Sequence, residues 1–262
     1  DFMDENAIAS DRIMSLLADD HNELWIGTQG NGLDILDSIG NFVHYSENSP
    51  VPLSAETVWC IFKDKYNRVW LGTREQGLIL FDKKKGELEK YQHDSQSQNS
   101  LPSNNIRTIA QAGDGNLWVA TESDGIAYFD VENKTFKAYK HDPESNSLSN
   151  DNIKSLYVAP SGVVWIGTNG GGLNAFDISD QRFYLYTVAD GLANDVIYAI
   201  LPDEQGNLWL SSNKGITRFA PGNSWEENPT ITNYNNYDGL ATEFNTGASL
   251  KDREGNLYYG SL

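Results

Sequence analysis

One position repeated along the chain carries residues that share no chemistry: Met14, Trp59, Arg107, Lys154 and Tyr198. Each directly follows the first apolar residue of a short run, paired as Ile13/Leu16, Val58/Ile61, Ile106/Ile109, Ile153/Leu156 and Ile197/Ile200. Scaffold positions in a repeat normally keep one residue type, whereas this one runs through thioether, indole, guanidinium, ammonium and phenol. Aromatic faces pack against the apolar face of a sugar ring, and Arg and Lys pair with a carboxylate or sulfate. The competing reading is packing between neighbouring elements with the polar tips reaching water.

A second set lies in short polar connections whose flanks repeat while their content varies: Gln29-Gly30-Asn31, Arg74-Glu75-Gln76, Glu122-Ser123-Asp124, Asn169-Gly170-Gly171 and Asn213-Lys214. Such loops are either solvated turns or recognition loops, since binding residues concentrate in loops carried by a rigid scaffold. Together the two sets give the candidate ligand-binding residues Trp59, Arg74, Arg107, Glu122, Asp124, Lys154, Asn169 and Tyr198. Arg107, Lys154 and Arg74 would supply local positive charge to an anionic sugar, with Trp59 or Tyr198 as a stacking surface.

Other chemistries find less support. The 37 acidic residues invite a glycosidase reading, which requires two opposed carboxyls with separated pKa values across one cleft. Yet Asp19, Asp64, Asp114, Asp203 and Asp252 recur in turns, and Asp37, Asp82, Asp130 and Asp177 recur at the ends of apolar runs, as scaffold residues do. His21, His44, His93 and His141 have no metal-ligand spacing, and the "GDGN" turn lacks the further oxygen ligands of a calcium loop. Cys60, the single cysteine, permits no disulfide and reads as small core filler. No nucleophile or phosphate-loop motif is present, so neither catalytic residue, metal nor cofactor is expected. With 19 basic residues the net charge is −18, a field that repels nucleic acid and anionic membrane surfaces. No apolar run reaches the length of a membrane span, so direct membrane insertion is not expected, and any export signal would lie outside this chain.

The elements that must position these residues follow from a repeat. "ELWIGT" (23–28), "RVWLGT" (68–73), "NLWVAT" (116–121), "VVWIGT" (163–168), "NLWLSS" (207–212) and "NLYYGS" (256–261) align, with anchors Trp25, Trp70, Trp118, Trp165, Trp209 and Tyr258 spaced by 45, 48, 47, 44 and 49 residues. A period in this range, filled with short alternating runs and Gly-containing turns, predicts an all-β protein of β-propeller blades rather than a helical solenoid. Each unit supplies four strands: the variable-position run, the Trp strand, a run opening on Gly such as Gly77-Leu78, and a run with an aromatic pair such as Phe136/Tyr139. The Trp side chains are expected in equivalent buried places between four-stranded antiparallel sheets. One β-propeller domain over 1–262 is expected, with units at 11–55, 56–103, 104–150, 151–193, 194–241 and 242–262. Five are complete and the sixth partial, so further blade-forming sequence is expected to follow as part of a seven-bladed propeller.

The stretch "GVVWIGTNGGGLNAFD" (162–177) resembles the two-component regulator propeller repeat, and "HDPESNSLSNDNI" (141–153) resembles that family's lead-in to the next blade. "YDGLATEFNTGASLKDREGNLYYGS" (237–261) is similar to the last blade preceding an Ig-like module in such receptors. Ala120 in place of Gly, one residue fewer before the third strand in "LSSNKGITRF", and Tyr258 in place of Trp depart from the pattern at scaffold positions. The resemblance implies a periplasmic sensor region of a membrane-spanning bacterial signalling protein, a hybrid histidine kinase or a diguanylate cyclase, whose better understood members recognise oligosaccharides. It implies an oligosaccharide or other small-molecule ligand, homodimerisation through the parent receptor, and no enzymatic activity in this segment. A propeller scaffold for dimerisation or protein interaction, and a propeller lyase or hydrolase, are the alternatives.

Overall fold

The structure is a computed structural model and describes residues 6–240 and 243–261. The chain termini at 1 and 262, and the boundary at 241/242 between the last two repeat units, lie outside the described residues. Two compact units are formed, Asp1–Glu122 with Ala127–Ala138, and Ser123–Ile126 with Tyr139–Leu262.

The first unit holds β1 (Ile13–Ala18), β2 (Leu24–Thr28), β3 (Leu33–Leu36) and β4 (Phe42–Tyr45) as one sheet, and β5 (Val58–Lys63), β6 (Val69–Thr73), β7 (Leu78–Asp82) and β8 (Gly86–Tyr91) as the next. It also takes most of a third sheet, β9 (Ile106–Gln111), β10 (Leu117–Thr121), β11 (Ile126–Asp130) and β12 (Thr135–Tyr139). The second unit holds β13 (Ile153–Val158), β14 (Val164–Thr168), β15 (Leu173–Asp177) and β16 (Arg182–Tyr186), then β17 (Ala199–Pro202), β18 (Leu208–Ser212), β19 (Gly215–Ala220) and β20 (Thr230–Tyr234). A two-stranded sheet of β21 (Phe244–Lys251) and β22 (Leu257–Ser261) follows. Strands pair in chain order, so each four-stranded sheet is an antiparallel meander, the blade of a β-propeller.

The core lies between sheets, which is why the second strands read as apolar on both faces. In the first unit Trp25 packs with Leu33, Val58, Leu71, Ile79 and Phe81, and Trp70 with Leu101, Ile106, Val119 and Phe129. Trp165 does the same in the second unit with Ile197, Leu210 and Phe219. Each of these indoles meets a third-strand Phe of the following sheet edge-on: Trp25 with Phe81 at 6.4 Å, Trp70 with Phe129 at 5.8 Å, Trp165 with Phe219 at 5.5 Å. Such pairs add about 0.5–1.5 kcal/mol each beyond the area they bury.

Trp209 departs from the expected equivalence. Trp25, Trp70, Trp118 and Trp165 are buried, whereas Trp209 is half-buried and Tyr258 is exposed. The sheet after Trp209 has no third strand among the described residues, so no counterpart of Phe81 or Phe219 covers it. Its ring stacks instead on Tyr234 of its own sheet, 5.7 Å away.

Four of the five turn aspartates are tied to the anchor six residues on, while Asp114 accepts from the Tyr128 hydroxyl. Trp25, Trp70 and Trp209 donate their indole N–H to Asp19, Asp64 and Asp203 at 3.3, 3.0 and 3.0 Å, and Tyr258 donates its hydroxyl to Asp252 at 3.1 Å. Asp64 also accepts the backbone N–H groups of Tyr66 and Arg68, and the Arg68 Nε at 2.6 Å. Burial of Asp64 works against its charge, but the hydrogen bonds from Trp70 and Arg68 and the Arg68 charge outweigh it and hold the carboxyl below its ordinary value. A folded-state pKa below the unfolded one contributes stability that is present above the unfolded value, near 3.9, and is lost as pH falls through the folded value. Urea midpoints measured across this range should therefore fall more steeply on acidification for the wild type than for Asp64→Asn, the two curves converging at low pH.

Glycine supports the sheet contacts in two ways. A Cβ on Gly72 would meet Ile106 Cγ2 at 2.8 Å, so β6 and the first strand of the next sheet approach closely there. Gly77 opens the third strand at φ +77°, and a Cβ there would overlap the Tyr91 carbonyl oxygen.

Candidate functional site

The variable position in the first strand has a distinct backbone geometry. In β1/β2 the pairing runs Ile13 with Thr28 and then Ser15 with Gly27, leaving Met14 as an extra residue. The same one-residue bulge leaves Trp59 extra in β5/β6, Arg107 extra in β9/β10 and Lys154 extra in β13/β14. Tyr198 sits just before β17 rather than within it. Its N–H donates to the Ser211 carbonyl at 2.9 Å, and Ala199 also opposes Ser211. A bulge leaves its extra residue outside the ladder and re-aims that side chain. All five residues are half-buried.

The eight candidates divide between the two units. In the first, the Arg107 guanidinium lies 3.9 Å from the centre of the Trp59 ring and donates from Nη2 to Glu122 Oε1 at 2.7 Å. This cluster remains in contact with solvent, the Arg107 and Glu122 side chains being 21% and 36% exposed. Arg107 Nε is buried and has no acceptor among the described residues, which costs desolvation free energy. Asn105 fixes the adjoining loops, its side-chain oxygen accepting the Glu75 N–H at 3.0 Å and its carbonyl accepting the Glu122 N–H at 3.0 Å. Arg74 is exposed and pairs with Glu75 at 3.4 Å. Both guanidinium groups of the expected anionic-sugar patch thus have a carboxylate beside them.

In the second unit Lys154 is half-buried at its bulge, and Asp124 pairs with Lys140 at 3.0 Å. Asn169 is exposed, with its backbone N–H donating to the Asn152 carbonyl at 2.9 Å. Tyr198 lines an open cavity of about 400 Å³ with Asn213, Glu243, Phe244, Asn245 and Thr246. Sequence reasoning passed over Glu243 to Thr246, because their prominence comes from a register change. Phe244 pairs with Ser261 and Ser249 with Tyr259, so four residues of β21 oppose Gly260 alone. That is the same bulge enlarged to three extra residues.

The remaining titratable groups have local partners. His93 and His141 donate from Nδ1 to the Leu101 and Leu148 carbonyls, each at 2.7 Å. Burial pushes the Cys60 thiol up to about 12, against smaller opposing effects of the Gly72 N–H and Arg107, so it is no nucleophile at neutral pH. Among the described residues, no group of three or more His, Cys, Asp and Glu side chains is placed to hold a metal ion. No helix among them is long and apolar enough to cross a membrane.

Meander sheets with bulged first strands define a repeat protein of the β-propeller class. Residues 52–75, 100–123, 147–170 and 191–214 match the two component regulator propeller model. No curated protein matches the chain in sequence. Among solved structures it is similar to the extracellular domain of BT3049 from B. thetaiotaomicron, assigned to a hybrid two component system, with a TM-score of 0.72 and 19% identity over 100% of this chain and 39% of that one. The extracellular domain of BT4673 from the same organism aligns with a TM-score of 0.58 and 23% identity over 95% of this chain and 40% of that one. Virginiamycin B lyase from Staphylococcus aureus has a TM-score of 0.66 and 13% identity, over 100% of this chain and 86% of the lyase. The chain spans about two fifths of the length of the two extracellular domains. At these identities the structural likeness establishes the fold alone.

Proposed function

We propose that this chain is a ligand-sensing propeller module from the periplasmic part of a bacterial two-component receptor of the hybrid histidine kinase type, and that it recognises an oligosaccharide. The single observation that carries the reading is the repeated bulge. It holds chemically unrelated side chains at one place in successive blades, and at Trp59 and Arg107 it assembles an aromatic face, a guanidinium and the Glu122 carboxylate. An aromatic face with charge-assisted donors and acceptors is the equipment for holding a hydroxyl-bearing ring. The family of the repeats supports the receptor setting, as does the description of BT3049 and BT4673 as extracellular domains. The module binds without turnover and passes occupancy to the membrane-spanning parent.

Calorimetric titration against a panel of oligosaccharides tests this. A member of the panel should bind the wild type and be recovered unchanged. Arg107→Ala should weaken that binding by about 1.5–3 kcal/mol, the scale of a lost hydrogen bond to a charged group. Cleavage of the bound sugar would instead favour a lyase or hydrolase, and unaltered affinity in the variant would remove Arg107 from the site.

A further inference from the structure

We infer that the cavity beside Tyr198 is a subsite for an uncharged, hydroxyl-rich sugar ring, and that Glu243 excludes uronic and sulfated sugars from it. The inference rests on the oligosaccharide reading and adds a place and a charge class.

Two observations converge on it. The enlarged bulge of β21 moves Asn245 and Thr246 out of the ladder, so their polar groups are available beside Tyr198 rather than engaged in strand pairing. The backbone turns at Gly247 with φ +77°, a conformation that glycine adopts readily. Bulges are over-represented at sheet edges and next to active sites.

The lining is chemically suited to a neutral ring. Phe244 is buried and meets Tyr259 edge-on at 6.1 Å, giving an apolar wall, and the Tyr198 ring adds a second aromatic surface. Asn213 and Asn245 supply amides, and Asn194 donates to Asn213 Oδ1 at 2.6 Å, which leaves the Asn213 amide N–H groups as donors to a ligand. Glu243 is the one charged residue in this lining among the described residues, and a carboxylate accepts hydrogen bonds from two adjacent hydroxyls. A second carboxylate or a sulfate placed there would face Glu243 within a chain of net charge −18. Among the described residues no cation lines the cavity to offset that repulsion, and Arg74 and Arg107 of the other unit have Glu75 and Glu122 beside them.

The test titrates the full chain with neutral xylo-, manno- and cello-oligosaccharides and, separately, with oligogalacturonides, using wild type, Glu243→Gln, Asn245→Ala and, as the probe of the other unit, Trp59→Ala. A neutral oligosaccharide is expected to bind the wild type, with Asn245→Ala and Glu243→Gln each weakening it about tenfold, the scale of a lost hydrogen bond to a polar or charged group. Glu243→Gln is also expected to raise oligogalacturonide affinity relative to wild type. Glu243 is exposed, so this variant keeps the test valid even if Asn245→Ala perturbs the bulge. Neutral binding indifferent to Glu243→Gln, or oligogalacturonides preferred by the wild type, would overturn the subsite while leaving the oligosaccharide reading standing. If no oligosaccharide of either panel binds the folded wild type, the oligosaccharide reading and the subsite both fall.

Discussion

Trp70→Ala is expected to lower the unfolding free energy by about 3–5 kcal/mol, the range for truncating a buried aromatic. Trp70 is 0% exposed and packs with Leu101, Ile106 and Phe129, so removing the indole opens a cavity between two sheets that their paired backbones cannot close. The same change leaves Asp64 without its indole donor in a nearly closed environment. Denaturant midpoints compare it directly with Glu75→Ala, an exposed loop change expected to stay within about 0.5 kcal/mol. Equal effects at the two positions would contradict the placement of the tryptophan row as scaffold.

Gly77→Val should be comparably damaging for a different reason. A left-handed conformation costs an ordinary L residue about 1–2 kcal/mol, and a β-branched side chain more. Its Cβ would also overlap the Tyr91 carbonyl oxygen of the fourth strand, and overpacking of this kind typically costs about 1–3 kcal/mol. The sum, about 2–5 kcal/mol, should appear in the same denaturation series, whereas Gly113→Ala, with open space around it and an ordinary φ, should change little. A Gly77→Val protein as stable as the wild type would mean that the third strand does not enter through a left-handed residue.

The blades were legible because their determinants are local and repeated. An apolar strand with one aromatic anchor, a turn and a second strand recur six times, and period and strand count follow from sequence spacing. What depends on a neighbouring sheet was not legible. Trp209 reads like Trp165, yet its burial is decided by a third strand that the last sheet lacks among the described residues. The link from four of the turn aspartates to their anchors was within reach, since Asp19/Trp25, Asp64/Trp70, Asp203/Trp209 and Asp252/Tyr258 share a spacing of six.

The candidate site was legible in part for the same reason. Variation at a repeated position marked Trp59 and Arg107, and the structure brings those two together with Glu122. That their backbones are bulged could not be read, because a bulge is defined by the partner strand's register. The surroundings of Tyr198 were missed on the same account: nothing in "TEFNTGASL" announces that four of its residues will stand opposite one glycine.

The bulge has a consequence for how such a protein changes over generations. A residue inside a ladder answers to two demands, since its side chain must suit both the neighbouring strand and whatever lies beyond. The extra residue of a bulge is released from the first demand, so exchange at Met14, Trp59, Arg107 or Lys154 leaves the hydrogen-bonded frame of its blade in place. Duplicated blades can therefore diverge in what they touch while remaining interchangeable in how they fold. Selection acting on a new ligand has a small set of positions on which to work without first rebuilding the sheet.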